Sequence, residues 1–416
     1  MFMKKIVDYF LIGCYLSVGF IENFGSVDRV SAQYVFLGLI NALSLFYFIS
    51  KTSTPSISDL KQNQPLLIIV LFFIWSALSI FYSISVLDTL ESLSNIFLVM
   101  MSMINMYIHI SEIKDLKKVF IFILFPLILF ELIIPFKIFL EIISTEKAFD
   151  FSMSGRLKTF TPNKNITAAI IACHLPFLLL IFNYWKLRGK VFYILFTLFF
   201  SIGFINIFFL SSRASIIGIV FSLLFTYGII FIKKIPPPKI LNFFTIILIL
   251  VFLSSSIYLG SDSTASLGNR FSSIDQSEQS TQQRLRFYEH GFEHIKKNPI
   301  IGLGLGNWKL KSIEYDKNNI TGYTVPYHLH NDFLQYGTEL GLVGLFLYAF
   351  LFLKILLINL KRIEVNFNLS VILIFSLTIL FVDSNLNFPY HRPIMMILFG
   401  FIIALTHYNK KHEIEK

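Results

Sequence analysis

Residues 65–84, PLLIIVLFFIWSALSIFYSI, form an apolar run without a single charged side chain. A run of this length suits a helix that crosses the hydrocarbon core of a bilayer. Similar runs recur along the chain, in which hydrophobic residues make up 55% and charged residues only 14%. A helix satisfies its backbone groups internally, as lipid requires, and the short alternating segments of a barrel are absent. The sequence therefore predicts an all-α polytopic membrane protein.

Hydropathy divides the chain into about twelve transmembrane helices joined by loops. The predicted spans cover residues 6–24, 34–50, 65–84, 91–110, 117–143, 166–185, 191–211, 214–232, 240–260, 333–358, 368–384 and 390–407. They form a single transmembrane domain over residues 1–416, with one large outer loop at residues 261–332. An even number of spans places both termini on one side, and Lys and Arg crowd the loops of that side, as is typical of cytoplasmic loops. The net charge of +10 is thus mostly topology and does not indicate a nucleic-acid partner.

The large outer loop contains two features with local structure. Leu285, Tyr288, Phe292 and Ile295 recur at roughly helical spacing, which predicts a short amphipathic helix on the outer face of the bilayer. Residues 300–308 hold spaced glycines, but no strand, turn and helix surround them as in a dinucleotide-binding site. They predict a tight backbone turn instead.

Polar side chains converge at the outer ends of several spans. They are Arg156, Asn163, Asn165, Arg213, Arg284, Arg286, His328, His330, Asn331 and Arg392. The guanidinium fork matches phosphate and carboxylate geometry, so grouped arginines indicate an anion site. An imidazole can accept a proton from a hydroxyl at neutral pH. The pattern predicts an anion-binding site with a general base at the outer face.

Each of these residues also has a purely structural interpretation. Arg213 could extend to the membrane interface, as arginines at span ends often do, and Arg286 could lie on the solvated side of a helix. His330 and Asn331 could simply cap the following helix. Gly341 and Gly344, three residues apart, would suit close packing between helices.

The arrangement of these residues resembles a known family. His330-Asn331, followed by Gly341 and Gly344, is similar to the signature of the bacterial O-antigen ligase and O-antigen polymerase superfamily. Residues 284–288 and 298–304 resemble the segment that precedes this signature, residues 155–165 an earlier asparagine-rich entry, and Ser212-Arg213 an arginine between two central spans. The resemblance runs in consistent order from about residue 150 to residue 395.

The resemblance implies a membrane-embedded, GT-C-like glycosyltransferase of the bacterial inner membrane that inverts its substrate without a metal or another cofactor. Its donor would be a glycan on undecaprenyl diphosphate, and its acceptor lipid A-core or a growing glycan. Both termini would be cytoplasmic, and the loop at residues 261–332 would be periplasmic and carry part of the active site. By the same resemblance, His330 is the general base, and Arg213 with Arg284 or Arg286 binds the diphosphate. Arg156, Asn163, Asn165, His328, Asn331 and Arg392 are supporting candidates.

Several functions remain open at this stage. An O-antigen ligase is favoured because the His-Asn and Gly-x-x-Gly pattern is clearly formed, and a repeat-unit polymerase of the same superfamily is the nearest alternative. A protein O-glycosyl ligase is a third variant, although such proteins often carry extra soluble sequence. A transporter of lipid-linked glycans would need ionisable residues near the bilayer midplane, and only Glu131, Pro135 and Lys137 suggest one.

Overall fold

The computed structural model describes residues 2–26, 28–51, 63–147, 149–161, 163–185, 189–259, 279–319 and 327–408, and these ranges contain helices but no strand. The helices are α1 Phe2–Leu16, α2 Arg29–Ser50, α3 Gln64–Leu78, α4 Val86–Glu112, α5 Leu116–Glu146, α6 Lys164–Tyr184, α7 Gly189–Leu210, α8 Arg213–Ile232, α9 Lys239–Leu259, α10 Gln279–Lys297, α11 Trp308–Asp316, α12 Asp332–Arg362, α13 Phe367–Leu386 and α14 Pro393–Thr406. Short 3₁₀ turns follow α1, α3 and α13, and another precedes α6.

Ten of these helices are long and apolar enough to cross a membrane: α2 to α9, α12 and α13. The prediction of an all-α polytopic membrane protein is therefore confirmed. Two shorter apolar helices, Ile6–Leu16 and Pro393–Thr406, lie where the first and last spans were predicted. The total of about twelve spans, the single domain and the periplasmic position of the large loop stay predictions.

Helices α6 and α13 form the centre of the bundle. Both are apolar around most of their circumference, and 94% and 83% of their apolar windows are buried. They pack against each other, with α8 and α12 also on α13 and α5 and α7 also on α6. Helices such as α9 instead expose large apolar side chains, including Leu250 and Ile257. An exposed apolar surface on a membrane protein faces lipid, so these helices form its rim.

The ionisable residues of α5 do not line an open path through the bundle. The Glu131 carboxylate is buried and lies 2.5 Å from Nδ1 of His174 on α6. Lys137 is exposed and pairs with Glu141 one turn away. Pro135 lies inside α5, which continues to Glu146, so neither residue lies at a broken helix end, where transporters coordinate their substrates.

Helix α12 is interrupted at Gly341, which has φ 70° and ψ −174°. A Cβ at this position would lie 2.1 Å from the carbonyl oxygen of Ile300, so only glycine fits. The interpretation of Gly341 as a residue for close helix–helix packing is wrong, because the neighbour is a loop. We call residues 299–307 the glycine loop.

The glycine loop takes up backbone groups that the interrupted helix leaves unbonded. The amide of Leu303 donates to Thr338 O at 3.1 Å, Gly304 donates to Glu339 O at 2.9 Å, and Leu342 donates to Pro299 O at 2.8 Å. The predicted tight turn is thus confirmed, with positive φ at Gly304 and Gly306. The loop forms a fixed floor beside the outer half of α12.

The outer ends of α3 and α4 hold the other side of the glycine loop. The side chain of Asn307 accepts a hydrogen bond from the amide of Ser85 at 2.6 Å and donates one to Thr89 Oγ1 at 2.7 Å. Ser79 Oγ accepts from the amide of Leu305 at 3.1 Å. Since α4 begins here, its far end at Glu112 lies at the opposite face of the bundle.

Helix α10 confirms the predicted short helix of the outer loop, but its buried face differs from the predicted stripe. Phe287 and Ile295 are buried, whereas Leu285 and Phe292 are 50% and 63% exposed. Gly291 packs closely against Leu334 of α12. One apolar side of α10 therefore faces the protein, and the other remains available to the membrane surface.

Candidate functional site

The outer ends of α8, α10, α12 and α13 meet around residues 327–331, which we call the base loop. Asn331 ends this loop and caps α12, because its Oδ1 accepts a hydrogen bond from the amide of Leu334 at 3.0 Å. Gln335 Oε1 accepts from the amide of Leu329 at 2.8 Å, and its Nε2 donates to Glu339 Oε1 at 2.7 Å. Glu339 Oε2 accepts in turn from Gly306 N at 2.8 Å. The base loop is thereby fixed to the glycine loop.

His330 adopts a left-handed backbone conformation, with φ 57°. Residues other than glycine rarely adopt a positive φ, and such backbone strain concentrates at functional sites. The carbonyl oxygen of His330 accepts a hydrogen bond from the Tyr288 hydroxyl at 3.0 Å. Its ring nitrogens make no hydrogen bond to a described residue, and Nδ1 is buried.

The ring of Phe388, in the turn between α13 and α14, contacts several charged and titratable groups, and we call it the Phe388 plate. Its ring centroid lies 5.0 Å from that of His330 and 4.3 Å from that of His328. The Arg392 guanidinium carbon lies 4.6 Å from the same ring. His391 contacts His328 at 4.1 Å between ring centroids. The plate thus brings three imidazoles and one arginine together.

The polar groups beneath this plate are buried but incompletely hydrogen-bonded. Asp332 Oδ1, Asp383 Oδ2, and Nε and Nη1 of Arg392 lack a hydrogen-bond partner among the described residues. Arg392 Nη1 and Asp383 Oδ2 are 3.9 Å apart, close enough for charge attraction but too far for a hydrogen bond. Buried polar atoms are almost always satisfied in purely structural regions, so this cluster indicates a functional site.

The electrostatic surroundings keep the histidines neutral. Burial, together with the charges of Arg284 and Arg392, lowers the pKa of His330 to about 4. Burial also lowers the pKa of His328 to about 3, with His330, Arg392 and Lys309 acting in the same direction. The pKa of His391 is lowered mainly by burial. An imidazole that stays neutral at physiological pH can accept a proton.

The two candidate arginines on α10 have different environments. Arg286 forms a two-point ion pair with Asp316 of α11, at 2.5 Å from Nε and 3.2 Å from Nη2. Arg284 makes no ion pair or hydrogen bond with a described residue, and it lies one helical turn before Tyr288. Its charge lowers the pKa of the His330 imidazole. Arg286 therefore joins two helices, while Arg284 acts on His330 through its charge.

Arg213 is the first residue of α8, after the N-cap Ser212. Gly218 of α8 lies beside Ile379 and Val382 of α13, and the two helices run antiparallel. Arg213, more than one turn nearer the outer face, is therefore level with the end of α13. That end carries Asp383 and leads into the Phe388 turn.

The remaining predicted residues lie in the segment before α6. Arg156 is exposed in a 3₁₀ turn and pairs with Glu146 at 3.5 Å. Asn163 caps α6, because its Oδ1 accepts from the amide of Asn165 at 2.8 Å. The structure provides no contact between these residues and the base loop, and their supporting role stays a prediction.

The sequence assigns no role to three residues that shape the site. Tyr288 lies in the amphipathic stripe and in the segment that resembles the family, Asp383 is one of several polar residues in the last outer turn, and Phe388 has no polar group. The polar turn at residues 383–392 was the available signal. In the described ranges, no group of three or more His, Cys, Asp or Glu residues is arranged to hold a metal ion.

Comparison with known proteins finds one family match, over part of the chain. Residues 196–349 match the family model for O-Antigen ligase, a segment that includes Arg213, α10, the glycine loop and the base loop. The resemblance to the O-antigen ligase and polymerase superfamily is thereby confirmed, and it indicates an activity of the ligase or polymerase type. No curated protein matches the chain.

Proposed function

We propose that this protein transfers a glycan from undecaprenyl diphosphate to a hydroxyl of an acceptor sugar at the periplasmic face of the bacterial inner membrane. The acceptor favoured is lipid A-core, as for an O-antigen ligase. The observation that carries the proposal is His330, a half-buried imidazole without a hydrogen-bond partner among the described residues, whose pKa is lowered by burial and by the charges of Arg284 and Arg392. A family match over residues 196–349 supports it.

In this reaction, His330 removes the proton of the acceptor hydroxyl as its oxygen attacks the anomeric carbon of the donor. The bond between that carbon and the diphosphate oxygen breaks, and undecaprenyl diphosphate leaves from the opposite side, which inverts the configuration. Low pKa values suit His330 to remain unprotonated before the attack, although a base is most efficient when its pKa lies near the working pH. The negative donor is expected to raise that pKa by offsetting the nearby arginines.

Arg284 and Arg213 are assigned to the diphosphate. Negative charge grows on the leaving group as the glycosidic bond breaks, and fixed cations stabilise that charge most in a site of low dielectric constant. Arg284 is favoured over Arg286 because Arg286 is already bonded to Asp316. The Arg392 guanidinium also contacts the Phe388 ring and adds positive electrostatic potential to the site.

The proposal is tested in a strain that lacks the protein, with wild-type or His330→Ala protein restored at equal membrane levels. Envelope glycans are separated on gels, and lipid-linked intermediates are quantified. In the strain that lacks the protein, and in the strain with His330→Ala, long chains are expected to remain on undecaprenyl diphosphate and never to reach lipid A-core. Accumulation of single repeat units would instead identify a polymerase, and full activity of His330→Ala would overturn the assignment of the base.

A further inference from the structure

The Tyr288 side chain connects α10, which also carries Arg284, to the backbone of His330. Its hydroxyl lies 3.0 Å from the carbonyl oxygen of His330 and 3.1 Å from that of Asn385, at the end of α13. A hydroxyl has one hydrogen, so it shares that hydrogen between two acceptors or alternates between them. Burial raises the pKa of Tyr288, and the hydroxyl therefore keeps its proton and donates.

The orientation of the His330 ring needs such an external support. In many hydrolases a carboxylate bonded to Nδ1 orients the catalytic imidazole. Nδ1 of His330 has no partner among the described residues. Ring contacts come from the edge of Phe388, and the left-handed backbone is held at its carbonyl by Tyr288. The position of the ring is thus set mainly through the backbone.

Arg284 and Tyr288 are four residues apart on α10, and side chains at this spacing lie on the same face of a helix. Gly291 of the same helix is packed closely against Leu329 and Leu334, so α10 also contacts the base loop and the start of α12. A shift of α10 on binding of a diphosphate to Arg284 would move the Tyr288 hydroxyl, and with it the carbonyl group of His330.

We propose that Tyr288 is a positioning residue that holds His330 in its reactive conformation and links that conformation to the occupation of Arg284 by the donor diphosphate. The inference rests on the proposed function, since it assigns Tyr288 a role through the base. It adds a residue to the site and makes the geometry of the base depend on a bound donor. The charged and titratable groups that act on His330 are otherwise Arg284, Arg392 and His328.

The test uses Tyr288→Phe, which removes the hydroxyl and keeps the ring. Tyr315→Phe is the matched control, because Tyr315 lies in the same packed cluster but its hydroxyl bonds to His294 at 3.3 Å, away from the base. Initial rates of transfer are measured in membrane vesicles with their native lipid-linked donor. Binding of undecaprenyl diphosphate to the purified full-length protein is measured separately, with melting temperatures of all variants.

Loss of one hydrogen bond at the base is expected to lower the transfer rate about tenfold for Tyr288→Phe, with little change for Tyr315→Phe. Undecaprenyl diphosphate should still bind, because Arg284 is intact. In a His330→Ala background, followed with radiolabelled donor over long incubations, Tyr288→Phe should cause no further loss.

An equal loss in both backgrounds would show that Tyr288 does not act through His330 and would overturn the proposal. A wild-type rate for Tyr288→Phe, or loss of undecaprenyl diphosphate binding by this variant, would also overturn it. If His330→Ala alone retained the wild-type rate, the proposed function would fail instead, so the two failures are distinguishable.

Discussion

Two histidines at opposite faces of the bundle have opposite hydrogen-bonding states. His109, near the end of α4, is 0% exposed and bonds through both ring nitrogens, to Asp8 Oδ1 at 2.8 Å and to Ser44 Oγ at 3.1 Å. His330 bonds through neither to a described residue. Residue type alone therefore does not distinguish these two histidines, whereas the unsatisfied ring of His330 and its left-handed backbone do.

The His109 cluster has the order of groups found in a serine hydrolase triad, with a carboxylate, an imidazole and a hydroxyl in sequence. Ser44 is fully buried, however, and its hydroxyl is also 3.0 Å from that of Tyr15. Asp8 is further bound by Lys51 at 3.4 Å. The cluster ties α1, α2 and α4 together, and we interpret it as structural.

The largest expected effect comes from His330→Ala. Loss of a general base lowers the transfer rate by about 10²- to 10⁴-fold, while the melting temperature should hold or rise because a buried unsatisfied group is removed. Initial rates in vesicles and melting curves of the purified protein check both parts. A parallel fall of rate and stability would remove the contrast with His109.

His109→Ala is expected to do the reverse. Removal of one member of a buried charged cluster takes one partner each from Asp8 and Ser44 and costs about 3–5 kcal/mol of folding free energy. The amount of folded protein in the membrane should fall, but the rate per folded molecule should not. A lowered specific rate with unchanged stability would assign the His109 cluster to the reaction.

Arg284 and Arg286 offer the next contrast, within a single helix. Arg284→Ala should weaken binding of undecaprenyl diphosphate about 10- to 100-fold, the effect of a lost hydrogen bond to a charged group, with the fold retained. Arg286→Ala should cost about 1–3 kcal/mol of stability, because the buried carboxylate of Asp316 loses a charged partner, and leave binding unchanged. Exchange of these two outcomes would move the diphosphate ligand to Arg286.

The sequence predicts the transmembrane spans and the candidate base more readily than it predicts the contacts that support them. Apolar runs and the polar residues of the base loop are local signals, as is the cap at Asn331. The contacts of Tyr288 with His330 and of His109 with Asp8 join residues 42 and 101 positions apart. No local pattern encodes such pairs, because they depend on how the helices pack.

At Gly341, the sequence pattern leads to the wrong structural interpretation. Two glycines three apart in an apolar helix are typical of helix packing, and the sequence offers no sign of an interruption. The interruption exists because the glycine loop supplies donors to the carbonyls of Thr338 and Glu339. Trp75 of α3 does the same for Leu340, at 2.9 Å. Without those remote partners the helix would have no reason to break.

The smallest expected effect is a shift in the pH dependence of transfer. His330 has a pKa of about 4, so the neutral base is present above that value, and the rate at limiting donor should fall as the pH drops through it. Arg392→Gln removes a positive neighbour that favours the neutral ring. The pKa of His330 should rise toward its ordinary value of about 6.5, and the acid limb of the rate profile should move to higher pH.

Lys296→Gln, which removes a positive charge from an exposed position on α10, is the control and should leave the acid limb in place. An unchanged limb in Arg392→Gln would mean that burial alone sets the charge of His330. The arginine would then be assigned to substrate or to Asp383, and the difference between the two histidines would rest on hydrogen bonding rather than on charge.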